Sequence, residues 1–295
     1  MVDKDKASGA EPLSQENATN AGADSPHLDE GEQEQAADHS TPHALIIHEV
    51  VREEGETALA RSTWALTWSA LAAGLSMGFS FLTMAVIRAA LPETPSAALI
   101  DSFGYAIGFV IVVMGKQQLF TESTLTVILP LLVRRDLKTF LAALRVWAIV
   151  LPVNLIGTAL FAGLLSVPGL FEVPVVNAMQ SLAHDTVSHS FSITFLKALL
   201  AGWLIALMVW LLPSARNARL LTIILITYVV SVTKLSHIIA GSVESLFGVF
   251  RGETSLLVYT WRFLIPTLLG NVAGGMMLVG LLNHATVSPE IREAK

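Results

Sequence analysis

From about residue 64 onward the chain reads as long apolar runs separated by short polar joints. A bilayer core of roughly 30 Å takes about 20 residues of helix. Six runs meet that length, at about 64–87, 101–133, 140–165, 193–212, 219–250 and 256–282. Two of them carry a polar break. The second is interrupted at 115–123, through Gly115-Lys116-Gln117-Gln118-Leu119-Phe120-Thr121-Glu122, and the fifth at 233–237, through Thr233-Lys234-Leu235-Ser236-His237. Ahead of the runs, residues 43–61 set Leu45, Ile46, Val50 and Leu59 among acids. That spacing predicts an amphipathic helix at the membrane surface, and a solvated connecting helix fits it equally. The expected fold is an all-α membrane protein with six transmembrane helices, spans 2 and 5 being broken.

The runs repeat. Asn154-Leu155-Ile156-Gly157 with Gly163-Leu164-Leu165 returns as Asn271-Val272-Ala273-Gly274 with Gly280-Leu281-Leu282, offset by 117 residues. Lys116 and Lys234 are offset by 118, and Ala70–Gly74 echoes Ala198–Gly202. Three spans per repeat is an odd number, so the halves must insert with opposite orientation. The plan is then two inverted three-span repeats, about 63–166 and 190–285, with a site between them at mid-membrane.

Charge sets the orientation and the ends. Arg134, Arg135 and Lys138 lie between runs 2 and 3, and Arg216 and Arg219 between runs 4 and 5. The opposite joints hold only Arg88, Lys197 and Arg251. By the positive-inside rule the richer joints are cytoplasmic, and so are both termini. Residues 1–41 carry ten acids against two bases, a net of −8 within a total of −6. With almost nothing apolar to bury, residues 1–42 read as a disordered cytoplasmic tail. A surface helix at 43–62, a transport domain at 63–285 and a short cytoplasmic tail at 286–295 complete the expected organisation. No signal peptide is apparent at the start.

Composition narrows the chemistry. The 295 residues are 53% hydrophobic and 14% charged, too apolar for the surface of a soluble domain. There is no cysteine, hence no disulfide and no thiolate metal site. The histidines other than His237 lie in the tail or joints, so no metal cluster is expected. No cofactor and no nucleic-acid partner are expected either.

Breaking a helix in lipid frees backbone groups that must be buried or line a cavity. The two breaks are therefore expected to meet and enclose a pore. His237 can donate, accept and titrate near neutral pH. A lone imidazolium and a bare anion are both costly in a dry pore, and a shared proton removes both costs. A neutral histidine bonded to backbone is the plainer account. Lys116 and Lys234 must be paired, snorkelled or pore-facing, with Glu122 and Glu244 as the expected charge partners. Either both brace the breaks as ion pairs, or one of them concentrates anions beside His237. Leu119 and Phe120 supply an apolar constriction, and Thr121 a hydroxyl for a substrate oxygen. Asn154 and Asn271 are expected to bond the broken-helix backbone. Ser236, Ser242 and His237 form no evident triad or oxyanion hole, so an enzyme is not expected.

These residues resemble the formate/nitrite transporter family over about residues 44–285. The Leu119-Phe120-Thr121 loop resembles that family's loop in its broken second span. His237 followed by Ile238-Ile239-Ala240 is similar to its central histidine, and Ile265-Pro266 with Gly270–Gly275 to its sixth-span signature. The resemblance implies a homopentamer of aquaporin-like protomers in a bacterial inner membrane, each with its own pore. It implies passage of small monovalent anions such as formate, nitrite or hydrosulfide, with protons involved. Thr121 and His237 would face each other at the pore centre, with Leu119 and Phe120 in the constriction. The chain departs from the family pattern at Ser236, where an acid is usual, and at Gly241, where asparagine is usual. Near Thr186 the family's basic residue is missing. The leading expectation is a proton-linked channel or transporter for a weak-acid anion. A channel of the same fold for a neutral or different solute, its lysines paired structurally, is the alternative.

Overall fold

The computed structural model of the chain describes residues 27–31, 33, 42, 44–92, 94 and 96–293. The 1–42 tail lies almost wholly outside them. Eleven helical segments organise the rest. They are α1 (Ala44–Ala60), α2 (Thr63–Ala90), α3 (Ala97–Met114), α4 (Phe120–Thr126), α5 (Ile128–Arg134) and α6 (Leu137–Leu165). There follow α7 (Val173–Val187), α8 (Phe191–Leu211), α9 (Arg219–Val232), α10 (Ile238–Phe250) and α11 (Leu256–Ser288). Among the described residues, α2, α3, α6, α8 and α11 are long and apolar enough to cross a membrane. The 13-residue α10 is equally apolar but shorter.

Local chemistry fixes the helix starts. The Ser62 hydroxyl accepts from the Ala65 N–H to open α2, and the Asp136 carboxylate accepts from the Thr139 N–H to open α6. Helical backbone runs on beyond α11 through Glu293, past residue 285 where the transport domain is expected to end. The break in the second run is shorter than expected. It covers 115–119, and Thr121 and Glu122 are already helical.

Two helix contacts share one design. Along α2 and α6, a Cβ on Gly74 would stand 2.2 Å from the Asn154 carbonyl oxygen. Along α8 and α11, a Cβ on Gly202 would stand 2.4 Å from the Asn271 carbonyl oxygen. Only glycine permits either approach. Around these contacts Phe81, Phe109, Phe120, Phe247 and Phe263 fill the core. Large apolar side chains also cover the outside, Trp64, Leu141, Leu160, Leu221 and Leu257 among them, as a lipid-facing surface requires.

Helix α1 does not lie free. Its buried residues are His48, Val51, Gly55 and Ala58, and a Cβ on Gly55 would meet the Thr126 carbonyl at 2.0 Å. The helix therefore seats against the joint between α4 and α5.

Candidate functional site

Helices α3 and α9 end in the same way. Lys116 and Lys234 adopt left-handed backbone, with φ of 50° and 52°. In the first, the Lys116 and Gln117 N–H groups donate to the carbonyls of Val113 and Val112 at 3.2 and 3.0 Å. In the second, the Lys234 and Leu235 N–H groups donate to Ser231 and Val230 at 2.8 and 2.9 Å. This is the Schellman closure, at a position that glycine usually occupies. A lysine there bears a backbone cost of about 1 kcal/mol, offset in part by its charge at a helix C-terminus.

The chain then crosses a short extended segment and restarts as α4 or α10. Each restart is held by one asparagine. Asn154 Oδ1 accepts from the Phe120 N–H at 2.9 Å, while its Nδ2 donates to the carbonyls of Ala70 and Gln118 at 2.7 and 3.1 Å. Asn271 Oδ1 accepts from the Ile238 N–H at 2.8 Å, while its Nδ2 donates to Ala198 and Ser236 at 2.7 and 2.9 Å. The two asparagines thus supply the partners that the broken helices lack.

The restarts meet face to face. Thr121 Oγ1 and His237 Nε2 are 2.8 Å apart, and each residue is 1% exposed. Leu119 and Phe120 are buried beside them, and the Phe109 ring meets the His237 imidazole edge-on at 5.0 Å. His237 also caps α10, its Nδ1 accepting from the Ala240 N–H at 3.2 Å. A backbone N–H can only donate, so Nδ1 carries the lone pair and Nε2 the proton. Nε2–H then donates to Thr121 Oγ1.

Two cavities are lined by residues of the breaks. One reaches His237 past Arg88, Asp101, Asp185, Thr186, Lys234 and Glu244. The other is lined by Glu54, Arg61, Lys116, Gln117, Gln118 and Glu122. Lys234 shares its cavity with His237, and Lys116 lines the other cavity.

The ion pairs differ from those read in the sequence. Lys116 Nζ binds Glu54 at 2.8 Å and Lys234 Nζ binds Asp185 at 2.9 Å, with lysine side chains 71% and 60% exposed. Glu122 and Glu244 are not their partners. The left-handed turn carries each lysine outward, toward an acid on another helix, α1 for Glu54 and α7 for Asp185. Sequence reading counted only acids near the breaks and missed these two. Glu244 instead accepts a hydrogen bond from the Thr186 hydroxyl. The departure at Gly241 also has a structural reason. A Cβ there would lie 2.4 Å from Cζ of Phe263, so an asparagine does not fit.

On the wall of the cavity that reaches His237, Lys197 Nζ contacts His189 Nε2 at 2.6 Å. Burial first, and the nearby Lys197 charge second, hold the His189 imidazole below its ordinary range. Its neutral Nε2 is thereby free to accept from the ammonium.

The formate/nitrite transporter family model matches residues 46–285 of this chain. Inner membrane protein YfdC of Escherichia coli (strain K12) is 38% identical over 244 residues, which cover 83% of this chain and 79% of that protein. Uncharacterized transporter YwcJ of Bacillus subtilis (strain 168) is 30% identical over 201 residues, covering 66% and 76% respectively. Among solved structures, a pentameric formate channel with formate bound matches at a TM-score of 0.65 and 21% identity, over 76% of this chain and 97% of that one. That last likeness concerns the fold.

Proposed function

The chain belongs to the formate/nitrite transporter family of multi-pass membrane proteins, and on that premise we propose that it passes small monovalent weak-acid anions of the formate, nitrite and hydrosulfide class. It is a transport protein and not an enzyme. One observation carries the substrate reading. The buried Thr121–His237 contact, 2.8 Å long, adjoins a cavity at His237 and offers donors rather than charge. An anion that parts Thr121 from His237 takes hydrogen bonds from the hydroxyl and from Nε2–H. It crosses the Leu119–Phe120 constriction sharing a proton, so that no bare charge meets the apolar wall.

The wider arrangement belongs to the same proposal. The chain forms six spans in two inverted three-span repeats, aquaporin-like, with the second and fifth broken where the helices restart at Phe120 and Ile238. Five copies form a homopentamer in the lipid of a bacterial inner membrane. Both termini face the cytoplasm, residues 1–42 being an acidic tail. The matched bonds of Asn154 and Asn271 support the repeat. The YfdC and formate-channel relatives support the location and the assembly.

A second reading has its own support. Both lysines are exposed and paired with acids, so neither offers an uncompensated charge to an anion. The same pore would then pass a neutral or different small solute. Flux into proteoliposomes separates the two, measured for formate, nitrite, hydrosulfide and a neutral solute at two external pH values. The weak-acid reading expects anion uptake that rises as pH falls and drops in His237→Asn. Neutral-solute flux without anion uptake would overturn it.

A further inference from the structure

Five carboxyl side chains line the two cavities: Asp101, Asp185 and Glu244 in one, Glu54 and Glu122 in the other. Three have a cation in contact. Asp101 is held by Arg88 at 2.6 Å, Asp185 by Lys234 at 2.9 Å and Glu54 by Lys116 at 2.8 Å. Among the described residues no ion pair reaches Glu122 or Glu244. Glu122 Oε1 is buried and has no hydrogen-bond partner, as has Gln117 Oε1 on the same cavity wall. Glu244 takes only the Thr186 hydroxyl bond, on the wall that it shares with His237. Each cavity therefore holds one carboxyl that no cation ties down; Glu122 follows Thr121 in α4, and Glu244 lies on α10, the helix that His237 caps.

We propose that Glu122 and Glu244 are the proton-exchange groups of the pathway, one on each side of the Thr121–His237 contact. The inference rests on the weak-acid reading above and names the groups that give and take the proton. His237 is poorly placed to do this itself. Its Nδ1 lone pair is engaged by the Ala240 N–H and its Nε2 already bears hydrogen, so a second proton would break the cap of α10. A free carboxyl has no such constraint.

The step balances as a plain proton transfer. The O–H bond of one glutamic acid breaks as an O–H bond forms on the anion, leaving a glutamate and a neutral weak acid. The neutral acid crosses between Thr121 and His237, which donate hydrogen bonds and keep their own protons. On the far side the acid returns its proton to the second glutamate and leaves as the anion. Each carboxyl then re-equilibrates with the water of its own cavity. The nearby charges are set for this. Around Glu244, Arg88 and Lys234 are occupied by aspartates and Lys197 by His189; around Glu122, Lys116 is occupied by Glu54 and Arg61 by Gln118. Arg219 also lines that second cavity.

The test uses the full chain in proteoliposomes, with formate as probe. Labelled formate uptake and lumen acidification are read together under a potassium–valinomycin voltage clamp. Glu122→Gln and Glu244→Gln are each expected to slow formate uptake and lumen acidification together, by about tenfold or more. Glu→Asp at either position keeps the carboxyl and is expected to restore both. Wild-type rates of uptake and acidification in both glutamine variants would overturn the inference. A wild-type protein with no formate flux would remove the weak-acid reading, and this inference with it. A second readout needs no variant. Dicyclohexylcarbodiimide, which attacks protonated carboxyls in apolar surroundings, is expected to label Glu122 and Glu244 and to block acidification, with formate protecting. Labelling of neither glutamate would also overturn the proposal.

Discussion

Alanine in place of Asn154 takes three hydrogen bonds from one break. The Phe120 N–H loses its acceptor at 2.9 Å, and the Ala70 and Gln118 carbonyls lose donors at 2.7 and 3.1 Å. Side-chain hydrogen bonds in membrane proteins average about 0.6 kcal/mol, so three contribute about 2 kcal/mol. Phe120 is 2% exposed, and its N–H gains no water in exchange. An orphaned buried donor adds about 1–3 kcal/mol. The expected cost is therefore about 3–5 kcal/mol, among the larger effects of a single substitution. Asn271→Ala removes the matching bonds, at 2.8, 2.7 and 2.9 Å, and is expected to cost the same within about 1 kcal/mol. Asn177 lies exposed on α7, and Asn177→Ala is the control, expected within about 0.5 kcal/mol of wild type. Reversible unfolding in mixed micelles of rising dodecyl sulfate fraction, followed by tryptophan fluorescence, measures all three. The reasoning is refuted if Asn154→Ala behaves like the Asn177 control, or if the two break variants differ several-fold in cost. Either result would mean that the breaks are held by something other than these side chains.

Other expectations follow from the same geometry. Lys116→Gly and Lys234→Gly relieve left-handed strain worth about 1 kcal/mol and lose an exposed ion pair worth about 0–1 kcal/mol, so thermal stability should hold or rise slightly. A clear fall in melting temperature would show the ion pairs to be stronger than exposed pairs usually are. Gly241→Asn drives a Cβ to 2.4 Å from the Phe263 ring and should destabilise by about 1–3 kcal/mol, with Phe263→Ala in the same chain restoring part of that loss. A double variant no more stable than Gly241→Asn alone would place the clash elsewhere. His48 is buried against His284 at 3.1 Å on α11, and burial holds its imidazole below the ordinary range. Its lowered value makes the neutral form the docked one. Docking of α1 is therefore full above about pH 6.5 and weakens as pH falls below it. Hydrogen exchange across Ala44–Ala60 should quicken on acidification in wild type and lose that pH dependence in His48→Gln.

Much of this was legible in the chain because lipid leaves few choices. Long apolar runs must be helices, and a polar break inside one must find partners within the protein. That logic singled out Asn154, Asn271 and His237, while the pairing of Thr121 with His237 came from the family resemblance. The lysines show where it stops. Lys116 and Lys234 were recognisable as costly, but their partners lie 62 and 49 residues away in sequence, on helices whose packing no local pattern reveals. The short left-handed turn that swings each lysine outward is equally hidden. Glycine marks such turns for a reader, and here lysine occupies them. The tautomer of His237 was out of reach for a similar reason. It depends on one backbone N–H three residues on, which exists only once α10 has restarted.

The paired lysine turns have a bearing on how such a pore can change over time. One break is tied through Glu54 to a helix ahead of the first long span, the other through Asp185 to the connector α7. The two breaks thus end in attachments that lie in unlike parts of the chain. Each mouth can be altered by exchanging the segment that carries its acid, leaving the asparagine-held centre as it is. A lineage in need of a different entrance on one side of the membrane therefore need not redesign the passage itself.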